Sequence, residues 1–496
     1  MPARRAVVTG GLVLIGNARV AEAALVLEGG RIAAILEGEA APPEDAERVD
    51  ATGRIVIPGL VNGHTHSHGA LGRGAVPDGA TLESFLVAAP AVTGGRTRDD
   101  LALSAALSAA EMIRKGCTAC FDLCVELPAP SVEGIHAVAE TYHRAGMRAV
   151  VAPMIADRTI WQAIPGLLEH LPEPLRAPLA ALAMPPWEAT LATVEAAARS
   201  WPVPRDRVRP GIGPTIPLHC SDPFLIACAR TAEALDLPLQ THLAESATQQ
   251  RAAAARYGER LTARLDRLGA LSPRFSGAHG VWLDGAEMGL LAERGCGISH
   301  NPLSNLRLGS GLADLPALRA AGVGLGIGTD ATNTSDAQNM FEATRLAASL
   351  SRLRATPGDW IGAAEAFRMA TEGSARLLGL DRVGRIEPGW AADLVFLDRA
   401  YCHYQPLRRP LEQIVLSENG AAVREVMIDG RFVFRDDRVL TLDERALAAA
   451  AAEAAARLDA LNAEARARAE AVAALVQSFC PGSCAAGPTR DTETAR

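Results

Sequence analysis

The chain has 496 residues, enough for two or three structural units, with 49 Lys and Arg against 57 Asp and Glu and a formal net charge of −8. That balance speaks against a nucleic-acid-binding surface as its main business, because such a surface needs a basic face. Aromatics are only 4% of residues while hydrophobics are 49%, so the core must be built mostly from Ala, Val, Leu and Ile. No run approaches the roughly 20 apolar residues of a membrane span. The most apolar stretch, from Leu447, is broken by Glu453 and Arg457, and no membrane association is expected. Arg4 and Arg5 lead into strand-like text without the apolar core and cleavage site of a secretory leader. Nine Cys, an odd number in a long chain, suit reduced thiols. A cytoplasmic protein is the expectation.

Residues 1–60 read as short strands, and AALVLEGGRIAAILEG carries a hairpin signal at Gly29-Gly30. From there short apolar runs alternate with longer Ala/Leu-rich helical stretches. Strands are predicted at 55–62, 118–123, 148–154, 209–215, 238–243, 275–279, 296–300 and 323–329, with helical patterns such as 100–115, 222–236 and 338–353 between them. Eight strands alternating with helices predict an α/β fold, a TIM-like (β/α)8 barrel over residues 61–383. Strand rhythm returns in 384–440, in GRIEPGWAADLVFLD and VREVMIDGRFVFRDD. The economical expectation is a small β-sandwich domain built from both chain ends and interrupted by the barrel. Residues 441–479 form an Ala/Glu/Arg-rich helix, expected to pack on the barrel and not to serve as a partner-binding coil. Residues 480–496 read as a flexible tail.

The polar residues fall at strand ends. His64 and His66 end the first barrel strand in GLVNGHTHSHG, His242 the fifth in PLQTHLAES, His279 the sixth in SGAHG and Asp330 the eighth in GLGIGTDAT. Strand C-termini of a barrel converge on one face, where its active sites lie. Residues i and i+2 on a strand point the same way, so His64 and His66 can reach one ion. Three imidazoles and a carboxylate with an open position form a catalytic set for zinc or ferrous iron. A lone buried His is more often a core or surface residue than a ligand. The joint pattern carries the signal, not any one member.

The segments PGLVNGHTH, THLAES, SHNPLSNLRLGSG, GTDATNTSDAQNMFEATR and GRIEPGWAADLVFLD resemble the amidohydrolase superfamily. More closely they resemble its cytosine-deaminase-like aminohydrolase and chlorohydrolase branch, with guanine, adenosylhomocysteine and triazine hydrolases. The resemblance covers most of residues 50–440. It implies a metal-dependent hydrolase acting on an electrophilic carbon of a nitrogen heterocycle. Residue by residue, it implies His64, His66, His242 and Asp330 as metal ligands and His279 as the histidine that contacts the attacking water. Glu245, in an H-x-x-E context with His242, matches the proton-shuttling acid. A metal lowers the pKa of water toward neutrality, and a carboxyl beside it can protonate a ring nitrogen and then the leaving amine.

Binuclear members use a carboxylated Lys on the fourth strand, and RPGIGPTIPLHC offers no Lys, so one divalent metal, zinc or alternatively iron, is expected. Thr215 stands where nucleoside-type deaminases of the branch usually have a substrate-binding His, with His219 four residues on. Arg73, His68, Trp161, His300, Asn301, Asn333 and Asp336 are further candidates for the pocket, each equally compatible with a loop role. Cys117, Cys120 and Cys124 have cluster-like spacing, but alternation along a strand argues for buried thiols over a shared metal. Cys480 and Cys484 have no partner His nearby, and TGGLVLIG lacks the spacing of a dinucleotide loop.

The leading expectation is thus a mononuclear aminohydrolase that releases ammonia from a purine, pterin, pyrimidine or triazine. Hydrolysis of a carbon–halogen or cyclic amide C–N bond is the alternative, and a non-catalytic scaffold the remote one. The expected partner is a small heterocyclic substrate, with the chain assembled as a homo-oligomer, a dimer or larger.

Overall fold

A computed structural model describes residues 5–38, 43–335 and 337–482. Parallel strands with buried residues on both faces dominate its centre. Such strands read as continuous apolar runs because helices cover the sheet. One parallel sheet runs Val208–Pro210, Arg148–Ile155, Cys117–Cys124, Leu60–His66 and Asp330–Ala331, with Gly213–Pro214 also on Arg148–Ile155. A second runs Leu239–Leu243, Phe275–His279, Gly297–His300 and Gly324–Ile327. The two sheets meet at both margins. Ile212 bridges to Leu239, and Gly328 N and Thr329 N donate to His300 O and His64 O.

The predicted runs differ from these strands in three places, one being the eighth, which stops at Ile327 so that Asp330 lies on the separate strand Asp330–Ala331. The 55–62 run divides at Pro58: Arg54–Pro58 joins a different sheet, and the first parallel strand starts at Leu60. Gly59 allows the break, since a Cβ there would sit 2.1 Å from Thr118 Oγ1. The 209–215 run is interrupted between Pro210 and Gly213. The helical 338–353 pattern forms as Met340–Leu350 followed by a short 3-10 turn.

Beside the parallel sheets lie two more. A four-stranded sheet is drawn from residues 5–50, and a seven-stranded one combines strands from residues 12–58 with strands from 394–439. Leu394–Asp398 lies antiparallel to Arg54–Pro58, pairing Leu394 with Pro58. Val8, Leu25 and Ile32 of the smaller sheet share one core with Val13, Val56, Phe396 and Met427 of the larger. Arg148, at the start of a parallel strand, donates to both Asp393 carboxylate oxygens at 2.7 and 3.2 Å, tying the two regions together in a buried ion pair.

The helix Glu444–Phe479 is capped by the Asp443 side chain and packs along helix Leu82–Thr93. Cys480 after it is buried, and the rest of the expected tail from residue 483, Cys484 included, lies outside the described residues. Cys117, Cys120 and Cys124 are buried free thiols, in line with the expectation. Burial pushes Cys117 up to about 12 and raises the other two well above the usual thiol range, which keeps these thiols protonated.

Candidate metal centre and cavity

Four imidazoles converge at the ends of the parallel strands, and each is oriented by its own Nδ1. His64 Nδ1 donates to Gln240 Oε1 at 2.7 Å. The Gln240 amide nitrogen is itself bound to Gly63 O and Ser276 Oγ, which leaves its oxygen to face the histidine. His66 Nδ1 donates to Leu123 O at 2.7 Å, His242 Nδ1 to Thr215 O at 2.5 Å, and His279 Nδ1 to Asn305 Oδ1 at 2.8 Å. A carbonyl can only accept, so each ring presents Nε2 as its lone pair. This is the outer-shell arrangement that fixes metal-ligating histidines.

The Nε2 atoms crowd one point. Those of His66 and His242 lie 3.1 Å apart, two lone pairs face to face unless a cation stands between them. His64 Nε2 and His279 Nε2 are buried with no hydrogen-bond partner. Asp330 Oδ1 is 3.2 Å from His66 Nε2 and 3.7 Å from His64 Nε2. Orphaned buried nitrogens and opposed lone pairs fit a divalent cation held by His64, His66, His242 and Asp330. Among the described residues, the groups that can hold a metal are all drawn from these four and His279.

The electrostatics agree. Burial drives His64 well below the ordinary histidine range and His242 down to about 3, each aided by neighbouring imidazoles, so both are neutral lone-pair donors. Burial works to raise Asp330, but the His66 hydrogen bond and the surrounding rings hold its carboxyl well below the usual range. His66 is the exception among the four rings: burial works downward, but the Asp330 carboxylate beside its Nε2 outweighs burial and raises it.

Backbone geometry helps to aim the groups. Ala244, His279 and Asp330 all have positive φ, at 49, 78 and 63°. Such non-glycine conformations cost about 1–3 kcal/mol each and gather at functional sites. Gly328 lets the last strand turn toward the cluster, since a Cβ there would lie 2.4 Å from Asn301 Oδ1 and 2.7 Å from His64 O.

Glu245 lies just past His242 and is 2% exposed. Its Oε2 is 3.7 Å from His279 Nε2, and His279 Nε2 is 3.8 Å from Asp330 Oδ2. Burial, then the charges of Asp330 and Glu83, push the Glu245 carboxyl well above its usual range. A carboxyl so placed favours its protonated form, which can donate a proton beside the cluster.

The cluster opens into a cavity of about 1180 Å³. His66, His68, Trp161, Thr215, His219, His242, Glu245 and Asp330 line it. Thr215 contributes more than a side chain, because its carbonyl orients His242. Burial lowers His219 to about 4, leaving a neutral imidazole on the wall. The other candidates are placed elsewhere. The Arg73 guanidinium pairs with Glu111 near the surface. Asn333 packs against Gly69 and Gly72, while His300, the last residue of its strand, and Asn301 after it are buried and are not part of the cavity lining. Asp336 lies outside the described residues.

Sequence reasoning missed Gln240, Asn305 and Glu83. Glu83 is buried, and its Oε1 accepts from Ser246 Oγ at 2.5 Å. Gln240 sits two residues before His242 on the same strand, so period-2 alternation was the available signal. Nothing comparable marks Asn305 or Glu83.

Comparison with known proteins adds an independent line. The family model for the amidohydrolase family matches residues 55–433. A 5-methylthioadenosine/S-adenosylhomocysteine deaminase of Syntrophobacter fumaroxidans is 32% identical over 421 residues, 83% of this chain and 89% of its own. A 5'-deoxyadenosine deaminase of Methanothermobacter thermautotrophicus is 33% identical over 436 residues, covering 88% of this chain and 94% of its own. The crystal structure of an adenosine deaminase from Xanthomonas campestris with bound zinc superimposes with a TM-score of 0.81 at 30% identity, over 93% of this chain and all of that one.

Proposed function

This chain belongs to the amidohydrolase family, and from that premise we propose that it is a mononuclear metal-dependent aminohydrolase. It replaces an amino group on a nitrogen heterocycle by water and releases ammonia. The observation that carries this reading is the set of four imidazoles, each with Nδ1 bonded to a fixed acceptor, with the Nε2 atoms of His64, His66 and His279 near Asp330 and that of His242 against His66 Nε2. The absence of Lys from the 208–220 segment supports a single ion. The zinc-bound neighbour at 30% identity supports zinc as its identity. Relatives named for adenosine-type purines make an aminopurine the first ring to test.

A bound divalent cation supplies Lewis acidity that brings a water's pKa toward neutrality. The protein's own residues do the rest. His64, His66, His242 and Asp330 hold the ion. Asp330, kept ionised, accepts a proton from the attacking water. Glu245, kept protonated, donates to a ring nitrogen and so makes the adjacent amine-bearing carbon electrophilic. As the C–N bond breaks, Asp330 passes the proton it took from the water to the departing amine, and Glu245 recovers a proton from the hydroxyl of the adduct, so that both carboxyls return to their starting states. His279 Nε2, between the two carboxyls, positions the water.

We read the two parallel sheets as one (β/α)8 barrel whose strand ends carry this site, with the sandwich built from both chain ends packed beside it. The eight described cysteines are all free and seven are buried, which supports a reducing, cytoplasmic setting. Among the described residues no helix is long and apolar enough to cross a membrane. The test is an ammonia-release screen of the metal-loaded protein across aminopurines, pterins, pyrimidines and triazines. Ammonia from an aminated ring supports the reading. Turnover of only a halide or a cyclic amide overturns it.

A further inference from the structure

Resting on that reading of the site, we propose that helices Leu82–Thr93 and Glu444–Phe479 wall a second, apolar compartment that takes a bulky apolar substituent carried by the substrate ring. The first support is size. At about 1180 Å³ the cavity exceeds the roughly 300–1,000 Å³ of sites for drug-sized ligands, and a bare aminated ring fills only a part of it.

The second support is the split in the lining. Strand ends contribute His66, Thr215, His242, Glu245 and Asp330. Helix Leu82–Thr93 contributes Leu82, Phe85 and Leu86, and helix Glu444–Phe479 contributes Asn462, Ala465, Ala469 and Val472. The spacings of three, four and three put those last four on one helix face. Of the charged groups of the lining away from the cluster, Glu126 accepts from Ser131 and Arg158 donates to Tyr257 Oη at 2.7 Å, while the Arg468 side chain is 71% exposed and pairs with Glu464 on the solvent side. Glu83, behind the wall, is bonded by Ser246. This side of the cavity therefore favours burial of apolar surface over pairing with a hydroxylated or charged substituent.

The long helix is tied to its surroundings at several points along its length. Arg457 bonds Asp100, Asn462 Nδ2 donates to Gly94 O at 2.9 Å, and Gln477 Nε2 donates to Gly79 O at 3.0 Å. Val476 and Cys480 are fully buried near its end. Ala465 is half-buried and faces the cavity, so a larger side chain there projects into the cavity and not into the core.

The test measures binding to full-length, metal-loaded Glu245→Gln protein, so that turnover does not intervene. The probes are adenine, adenosine and 9-benzyladenine, followed by calorimetry. Burying the benzyl group should make 9-benzyladenine bind at least about tenfold more tightly than adenine or adenosine. Ala465→Phe, which fills the compartment, and Leu86→Gln, which makes its other wall polar, should each remove that gain and leave adenine binding unchanged. Metal content and melting temperature establish that both variants are folded. A benzyl group that brings no gain, or a gain that survives both variants, overturns the proposal. Ammonia release by the parent enzyme is scored separately. Release without the benzyl gain overturns the compartment alone, and the gain without release overturns only the aminohydrolase reading.

Discussion

The strand-end cluster and the helical walls of the cavity bound the same space but are built on opposite terms. In the cluster every group is polar, buried and held by a second group: His64 by Gln240, His66 by Leu123 O, His242 by Thr215 O, His279 by Asn305. The walls are mainly Leu, Phe, Pro, Met and Ala side chains, with few hydrogen bonds to fix which chemistry they meet. The cluster tolerates almost no change of residue type, because each atom has one geometric task. The walls tolerate any apolar side chain of suitable volume. Chemistry is thus specified by the strand ends, and selectivity by helices that can vary without disturbing them.

The largest expected effect comes from breaking the cluster. His66→Ala removes one imidazole and leaves His242 Nε2 without its 3.1 Å partner. Metal content should fall from near one equivalent and activity should fall to background together. Metal retained at one equivalent would show that His66 is not a ligand. Two equivalents in the parent enzyme would instead defeat the single-ion reading.

Glu245→Gln separates chemistry from metal binding. The amide keeps the shape and the hydrogen-bonding reach but carries no transferable acid proton. The drop in kcat should be about 10²–10⁴-fold, the usual range for general acid–base catalysis, with metal content unchanged. Activity within about threefold of the parent would make Glu245 an ordinary helix-start carboxyl. Loss of the metal would make it a ligand.

Gln240→Leu sharpens the claim that the cluster is held from behind. It removes the acceptor for His64 Nδ1 and leaves Gly63 O without its partner. Loss of an outer-shell partner commonly costs about 10–100-fold in metal affinity. A chelator competition should show that weakening, while the metal-saturated enzyme recovers most of its rate. Unchanged affinity would mean that strand geometry alone orients the ring.

The same contrast explains what the sequence disclosed. His64, His66, His242, His279 and Asp330 were legible because each sits at or near the end of an apolar run, where a polar residue is conspicuous, whereas Glu245 stood out only through its H-x-x-E context and the family resemblance. Thr215 drew notice for its side chain, whereas the carbonyl oxygen is what reaches His242, and carbonyls look alike in every residue. Alternation puts Gln240 on the same face as His242, but its contact with His64 lies 176 residues away in the chain and is encoded by no local pattern. The Ala-rich helix after residue 443 announced its conformation but not the surface it covers. Helical periodicity describes a face and says nothing of its partner.

The smallest expected effect concerns a residue that sequence position made attractive. Arg73 follows the H-x-H strand closely, yet its side chain is 49% exposed and pairs with Glu111 instead of entering the cavity. An exposed ion pair of this kind contributes about 0–1 kcal/mol, because water solvates both charges well and two long side chains must be ordered to form it. Glu111 keeps a task without it. Its Oε1 accepts from Gln338 N at 3.0 Å, and Gln338 Nε2 donates to Thr65 Oγ1 at 2.6 Å, on the strand that carries His64 and His66. That chain of contacts survives removal of the guanidinium. Arg73→Ala should therefore change kcat/KM by less than about twofold and leave metal content at one equivalent, consistent with loss of no more than an exposed pair. A tenfold rise in KM at unchanged kcat would instead place the guanidinium on the substrate. The boundary between fixed strand ends and variable walls would then have to include the turn of residues 67–73.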